Sequence, residues 1–403
     1  MKKYLAKFFL TLFLLVNILN LQCSKAQKNP NVLHSFSGSD GTTPKGTMTL
    51  SGNTLYGYTS HGGKNNKGVI FSMGNDGKGF KVLYEFTEGA DDNLGNEPHH
   101  DAMLMYNNVL YGATVYGGNK DNGVIFKINT DGTGYSPIHI FKGGADDGAQ
   151  PHSGVIALNN FLYGLTAEGG AEGKGVIYKM NSGGTDFSVL HLFVKATGHN
   201  PHGRLTLGSD GHTVFGITKS GGSNGEGVLF SYDLSDSGYS VIHNFQKGKI
   251  DGTTSEHGFL TRVDNKLYGM THHGGEHDKG IIFSINEDSS GFQVIHSFND
   301  KSKDGNSPFG SLQFSNGFLY GTTHVGGDND KGTIFRINAD GKKYETVFSY
   351  DTPTTGEFPI DNVVFNNDAS ELYCFGQQGG VNDETGKKKF GTIIKLKVSD
   401  SKK

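Results

Sequence analysis

The chain has 403 residues, a formal net charge of −4, 62 glycines, two cysteines and no tryptophan. The acidic balance and the absence of a dense Lys/Arg run exclude a nucleic-acid-binding chain, which needs a basic patch tracking the phosphates. A chain of this length can bury a core without disulfides.

Residues 1–26 read as a targeting leader. Lys2, Lys3 and Lys7 form a basic start, and Phe8 to Leu19 form an apolar run of 12 residues. That run is shorter than the ~20 residues a bilayer span requires. Ser24-Lys25-Ala26 offers small residues for cleavage before Gln27, so export to the periplasm or beyond is expected. Cys23 raises the alternative of a lipid anchor, but Asn20-Leu21-Gln22 lacks the small residue expected before a lipidated cysteine. Cleavage removes four lysines and no acid, leaving 36 − 4 = 32 basic against 40 acidic residues, a net −8. Cys374 would then be the only thiol, read as buried and inert. No later stretch is apolar enough for a transmembrane segment.

From Val32 onward one phrase returns. Its aromatic falls at Tyr56, Tyr111, Tyr163, Phe215, Tyr268, Tyr320 and Tyr373, at spacings of 55, 52, 52, 53, 52 and 53 residues. A β-rich repeat of ~50 residues marks a β-propeller with one blade per repeat. In the first copy, Gly46–Leu50, Thr54–Thr59, Gly68–Met73 and Phe80–Phe86 read as four antiparallel strands. They are separated by Ser51-Gly52-Asn53, a polar loop after His61, and an Asp76-Gly77 hairpin. The Asp-Gly turns, repeated at Asp131 and Asp340, lack Ca²⁺-loop spacing and read as plain hairpins. The fourth strand has its own refrain, Val82–Phe86, Val189–Phe193, Val241–Phe245 and Val294–Phe298. A copy, Val32–Phe36, precedes the first full repeat, whereas the seventh repeat stops after its third strand. The expected fold is therefore all-β: a single seven-bladed propeller over residues 27–403, with four-stranded antiparallel blades and the ring closed by the N-terminal strand.

The phrase L-Y-G-x-T-x-x-G-G followed by G-V-I-F, with V-L-H-x-F ahead of D-G-x-x-P-x-G, resembles the GloVer tandem repeat of exported bacterial proteins, a choice-of-anchor family. Leu55 to Phe71 and Leu319 to Phe335 match it closely, and the resemblance covers nearly all of residues 31–398. It implies export and a repeat-built β fold, and it supplies no activity, cofactor or catalytic residue. The chain ends directly after the seventh repeat, so a sorting domain is not expected. Kelch repeats share the glycine doublet and the period. The Tyr and Trp that follow the Kelch doublet are missing here.

Candidate binding residues are the loop positions that differ from blade to blade. The position after the loop proline, or its equivalent, reads Lys45, His99, His152, His202, His257, Phe309 and Ile360. Just ahead of the doublets stand His61, Tyr116, Glu168, His272, His273 and His324. All belong to one face, giving an imidazole-rich rim that suits a glycan or cell-envelope ligand. Histidine is also a metal ligand and general base. An arc of imidazoles around an open channel is nevertheless expected to sit too far apart for a single ion, and no cofactor is expected. Repetition of the Pro-His pair in consecutive blades favours a structural role, a turn cap between blades. The spacings H-E-x-x-H and G-x-S-x-G are absent. A second set, His34, His139, His191, His243 and His296, lies on the outer strand and reads as packing.

Three functions compete: a non-enzymatic recognition propeller, a polysaccharide-active hydrolase or lyase using rim His with Tyr116 or Glu168, and a purely structural repeat protein. Recognition is favoured because Glu168 has no partner carboxylate for glycosidase chemistry.

Overall fold

A computed structural model describes residues 30–87, 94–253, 257–299, 304–352, 354–380 and 390–398. The leader, Cys23 and the basic run Lys387–Lys389 lie outside the described residues. Strands are named a to d from the channel outward. The chain is an all-β propeller of seven four-stranded antiparallel blades; the one helical element among the described residues is a 3-10 turn, Lys195–Thr197. Among the described residues no helix is long and apolar enough to cross a membrane.

The ring closes as the sequence predicts. The N-terminal strand Asn31–Ser35 pairs antiparallel with Thr392–Lys397, as strand d of the blade whose other strands are Val364–Phe365 and Glu371–Gly376. The Phe36 amide extends the pairing by donating to Gly391 O at 3.0 Å. Phe36 itself is buried in the seam with Tyr373 and Phe375. Such a strand leaves no open sheet edge between the first and last blades.

The repeated phrase is a packing code. The Tyr of L-Y-G leaves its own blade to join the core of the next: Tyr111 packs with Leu162 and Tyr178, and Tyr163 with Val214 and Phe230. The glycine after it sits opposite the Phe of G-V-I-F, as in Gly112 against Phe126. A Cβ at Gly57 or Gly321 would fall 2.6 Å from the ring of Phe71 or Phe335, so the large ring requires the missing side chain. The last blade exchanges both partners at once. Cys374 replaces the glycine and faces Ile394 instead of Phe, which frees room for the thiol. Cys374 is buried, and burial pushes its thiol up to about 12, as an inert core residue requires. The threonine of the phrase is fully buried. Its hydroxyl donates to the carbonyl two residues on, as Thr59 to His61 O at 2.8 Å and Thr271 to His273 O at 2.8 Å.

The outer-strand histidines pack between blades. The His139 ring stacks on Phe187 of the next blade at 3.8 Å, His191 on Tyr239 at 3.9 Å and His243 on Phe292 at 3.7 Å. His34 stacks on Phe80 and His296 on Tyr344 in the same way. Most of these rings also meet the aspartate of the D-G loop, as His139 Nε2 to Asp147 at 3.0 Å and His34 Nε2 to Asp40 at 3.0 Å. The D-G loop is thereby held to strand d.

Two predictions test this reading. Deleting residues 27–37 should lower the thermal midpoint by more than about 5 °C; an unchanged midpoint contradicts closure by that strand. Ile394→Phe alone should destabilise the last blade, and adding Cys374→Gly should recover most of the loss. A double-mutant cycle by chemical denaturation should give a coupling of about 1 kcal/mol or more.

Candidate functional site

Six of the seven d-a loops, those with a proline, are fastened to the blade before them. The residue ahead of the proline has left-handed backbone: Glu97 (φ 54), Gln150 (φ 53), Asn200 (φ 59), Ser307 (φ 55), Phe358 (φ 59) and Thr43 (φ 55). That turn aims its N–H backward, and the amide donates to a carbonyl of the preceding blade. Examples are Gln150 N to Asn122 O at 2.7 Å, Asn200 N to Lys174 O at 2.9 Å and Ser307 N to Lys279 O at 2.9 Å. The proline ring then lies on the glycine that opens G-V-I-F in that blade. A Cβ there would fall 2.7 Å from Pro151 at Gly123 and 2.6 Å from Pro359 at Gly332. With the proline pinned, the next side chain has one direction left, inward over the channel.

The imidazoles consequently meet. His152 and His202 stack with centroids 4.1 Å apart and rings 4° from parallel. His202 and His257 are 5.3 Å apart, and His99 meets His152 edge-on at 6.0 Å. One ligand nitrogen each from His152, His202 and His257 fall within 4.8 Å of one another. The wide separation expected from the sequence is therefore corrected. The side chains project inward from the backbone ring, so the circle at their nitrogens is much tighter than the circle of the loops.

Blade 2 narrows the channel further. The core residue Met103 falls five positions after Pro98, whereas Val155 falls four after Pro151. The extra residue is absorbed by left-handed backbone at His100 (φ 40) and Asp101 (φ 82). His100 crosses to stack on His257 at 3.5 Å. Asp101 is buried, accepts the Ala102 amide at 2.7 Å and faces Arg204 Nη1 at 3.4 Å. Asp361, also buried, accepts the Gly46 amide at 2.6 Å and lies 3.7 Å from His100 Nδ1. Lys45 Nζ lies 2.7 Å from His99 Nε2; an ammonium can only donate, so His99 carries its proton on Nδ1.

The electrostatics follow from burial. Burial lowers every imidazole of the cluster, with help from neighbouring charges. His152 falls to about 4, with Lys219 and Lys45 adding to burial, and His202 to about 2, with His152 adding. His99, His100 and His257 are lowered as well, burial again the main cause. These rings are neutral at pH 7 and carry lone pairs. Burial pushes the Asp361 carboxyl up to about 7, against the opposing pull of the Gly46 amide and Lys45. Nδ1 of His99, His152, His202 and His257 is buried with no protein hydrogen-bond partner.

The remaining candidates lie around this centre. His272 and His324 flank Phe309, at 4.2 and 5.0 Å between ring centroids. His61 stands close enough to disfavour charge on His99. His273 lies edge-on to His272 at 4.4 Å. Tyr116 and Glu168 are exposed at the ends of their strands, opposite Asn96 and Ala149, and make no ring contact or ion pair with the imidazoles among the described residues. The sequence reading missed His100, Asp101, Arg204 and Asp361. The available signal for the first two was the one-residue insertion between Pro98 and Met103.

The family model described as the Gloeobacter/Verrucomicrobia repeat matches residues 90–260 and 213–402. The chain belongs to this repeat family. No curated protein matches it in sequence. Among solved structures, an oligogalacturonate lyase in complex with manganese is similar at TM-score 0.55 and 11% identity, covering 90% of each chain. Puromycin hydrolase is similar at TM-score 0.54 and 7% identity, covering 92% of this chain, which spans 55% of that one. At these identities the likeness concerns the fold.

Asp361 gives a pH prediction. Its folded value, about 7, exceeds the ~3.9 of a free carboxyl, so the folded state holds a proton that the unfolded chain releases. Its contribution to stability is complete below about pH 4 and is lost as pH rises through about 7. Asp361→Asn, which can still accept the Gly46 amide, should flatten that part of the stability–pH curve in urea titrations. A parallel, unflattened curve contradicts the assignment.

Proposed function

We propose that this protein is an exported recognition propeller that seats an acidic glycan of the cell envelope or its surroundings at the imidazole-lined channel mouth. The observation that carries the reading is the convergence of four neutral histidines whose Nδ1 atoms no protein group satisfies. A buried polar atom left unsatisfied costs about 1–3 kcal/mol, so a cluster of them favours an outside partner. A set of histidines that only capped turns would have its nitrogens bonded to the neighbouring blade. Flat rings, His152 on His202 and Phe309 beside His272, suit the apolar faces of sugars. The charges of Lys45 and Lys219 reach His152 electrostatically and favour an anionic group.

Recognition is preferred over catalysis on a polysaccharide because Tyr116 and Glu168, the candidate acid and base, stand apart from the imidazoles. Export supports an extracytoplasmic ligand, as the leader-like N-terminus and the repeat family suggest.

The test is calorimetric titration of the mature protein with acidic and neutral oligosaccharides. Wild type should bind an acidic member, and a His152→Ala/His202→Ala double variant should bind it more than about tenfold more weakly, equivalent to ~1.4 kcal/mol. Equal affinity of the two proteins removes the imidazoles from the site. Binding by neither returns the cluster to a structural role.

A further inference from the structure

We propose that His152, His202 and His257 form a three-histidine site for a divalent transition-metal ion at the mouth of the channel. One nitrogen from each lies within 4.8 Å of the others. Imidazole nitrogens bind zinc at about 2.0–2.1 Å, which sets nitrogen–nitrogen edges of roughly 3.3 Å in a tetrahedral site. Closing the difference requires the rings to turn about their χ angles out of the parallel stack of His152 on His202, so that their in-plane lone pairs meet at one ion.

Two further observations support a metal. First, the ligands come from three consecutive blades. Pro151 and Pro201 are packed on the preceding blade's Gly123 and Gly175, so two of the three backbones are fixed. Second, the Nδ1 atoms have no protein partner to give up.

The donor set selects the ion. Three imidazoles without a thiolate suit Zn²⁺, Co²⁺, Ni²⁺ or Cu²⁺; Mg²⁺ and Ca²⁺ demand oxygen ligands. All three histidines are partly exposed, so the ion would have access from the mouth. Three protein ligands leave at least one coordination position for an outside oxygen. A carboxylate of the proposed acidic glycan fits that position. In this respect the inference deepens the recognition reading, though the metal site itself does not depend on it.

The experiment uses metal ions alone, so its outcome is separate from that of the glycan titration. The mature protein, stripped with chelator, is titrated with Zn²⁺ by calorimetry and with Co²⁺ by visible absorption. One ion per chain is expected, with a rise in thermal midpoint. His202→Asn and His257→Asn should each weaken binding by more than about tenfold. His277→Asn, at an exposed loop, should leave it unchanged. X-ray absorption on the wild-type zinc complex reads the ligands without any variant, and three imidazoles should be counted. Binding that ignores both substitutions, an ion with fewer than two imidazoles, or no stoichiometric binding overturns the site. Metal binding without glycan binding would retain this inference and sink the recognition reading. Glycan binding to the metal-free protein with no affinity for ions would do the reverse.

Discussion

Six of the seven blades are latched to the one before by a residue of left-handed backbone followed by a proline. The amide of the first residue donates backward, and the ring of the second covers a glycine that tolerates no side chain. Positive φ is costly for residues such as Thr43 and Phe358, so the conformation persists because the contact with the next blade over-determines it. The latch fixes the angle between blades on one face. The stacked His–aromatic pairs do the same at the rim, and the crossing tyrosines fill the space between.

A structural device repeated in every blade also produces the one region where the blades differ. Once the proline is pinned, the following side chain must point inward. The fold therefore presents six such inward positions, and the equivalent position of the blade without the proline holds His257; the sequence fills the seven with Lys45, four histidines, Phe309 and Ile360. The structural and functional readings of the Pro-His pair are thus not alternatives. The proline serves the ring, and the histidine uses the direction that the proline sets.

Much of this was legible in the sequence. The period, the four strands and the displaced Val32–Phe36 copy determined the blade count and closure. The coincidence of Cys374 with the place where other repeats carry glycine marked a change whose partner, Ile394, needed the register to be seen. The candidate histidines were readable as a face. Their distances were not, because spacing along the chain says nothing of how far a side chain reaches toward an axis. Asp101 and Asp361 were invisible for another reason: single acids outside a motif gain meaning only when burial removes their solvent. Tyr116 and Glu168 were assigned to the histidines' face yet make no ring contact or ion pair with them among the described residues, a distinction that a one-dimensional pattern does not carry.

The central claim is that the loop backbones drive the histidines together into a packed, neutral cluster. Imidazole ¹⁵N shifts of the mature protein, followed from about pH 8 to about pH 5, test it most directly. The account predicts that His99, His202 and His257 keep the two unlike nitrogen signals of neutral rings throughout that range. Protonation of these rings with midpoints above about pH 6 would mean that they stand apart in solvent, and would contradict it.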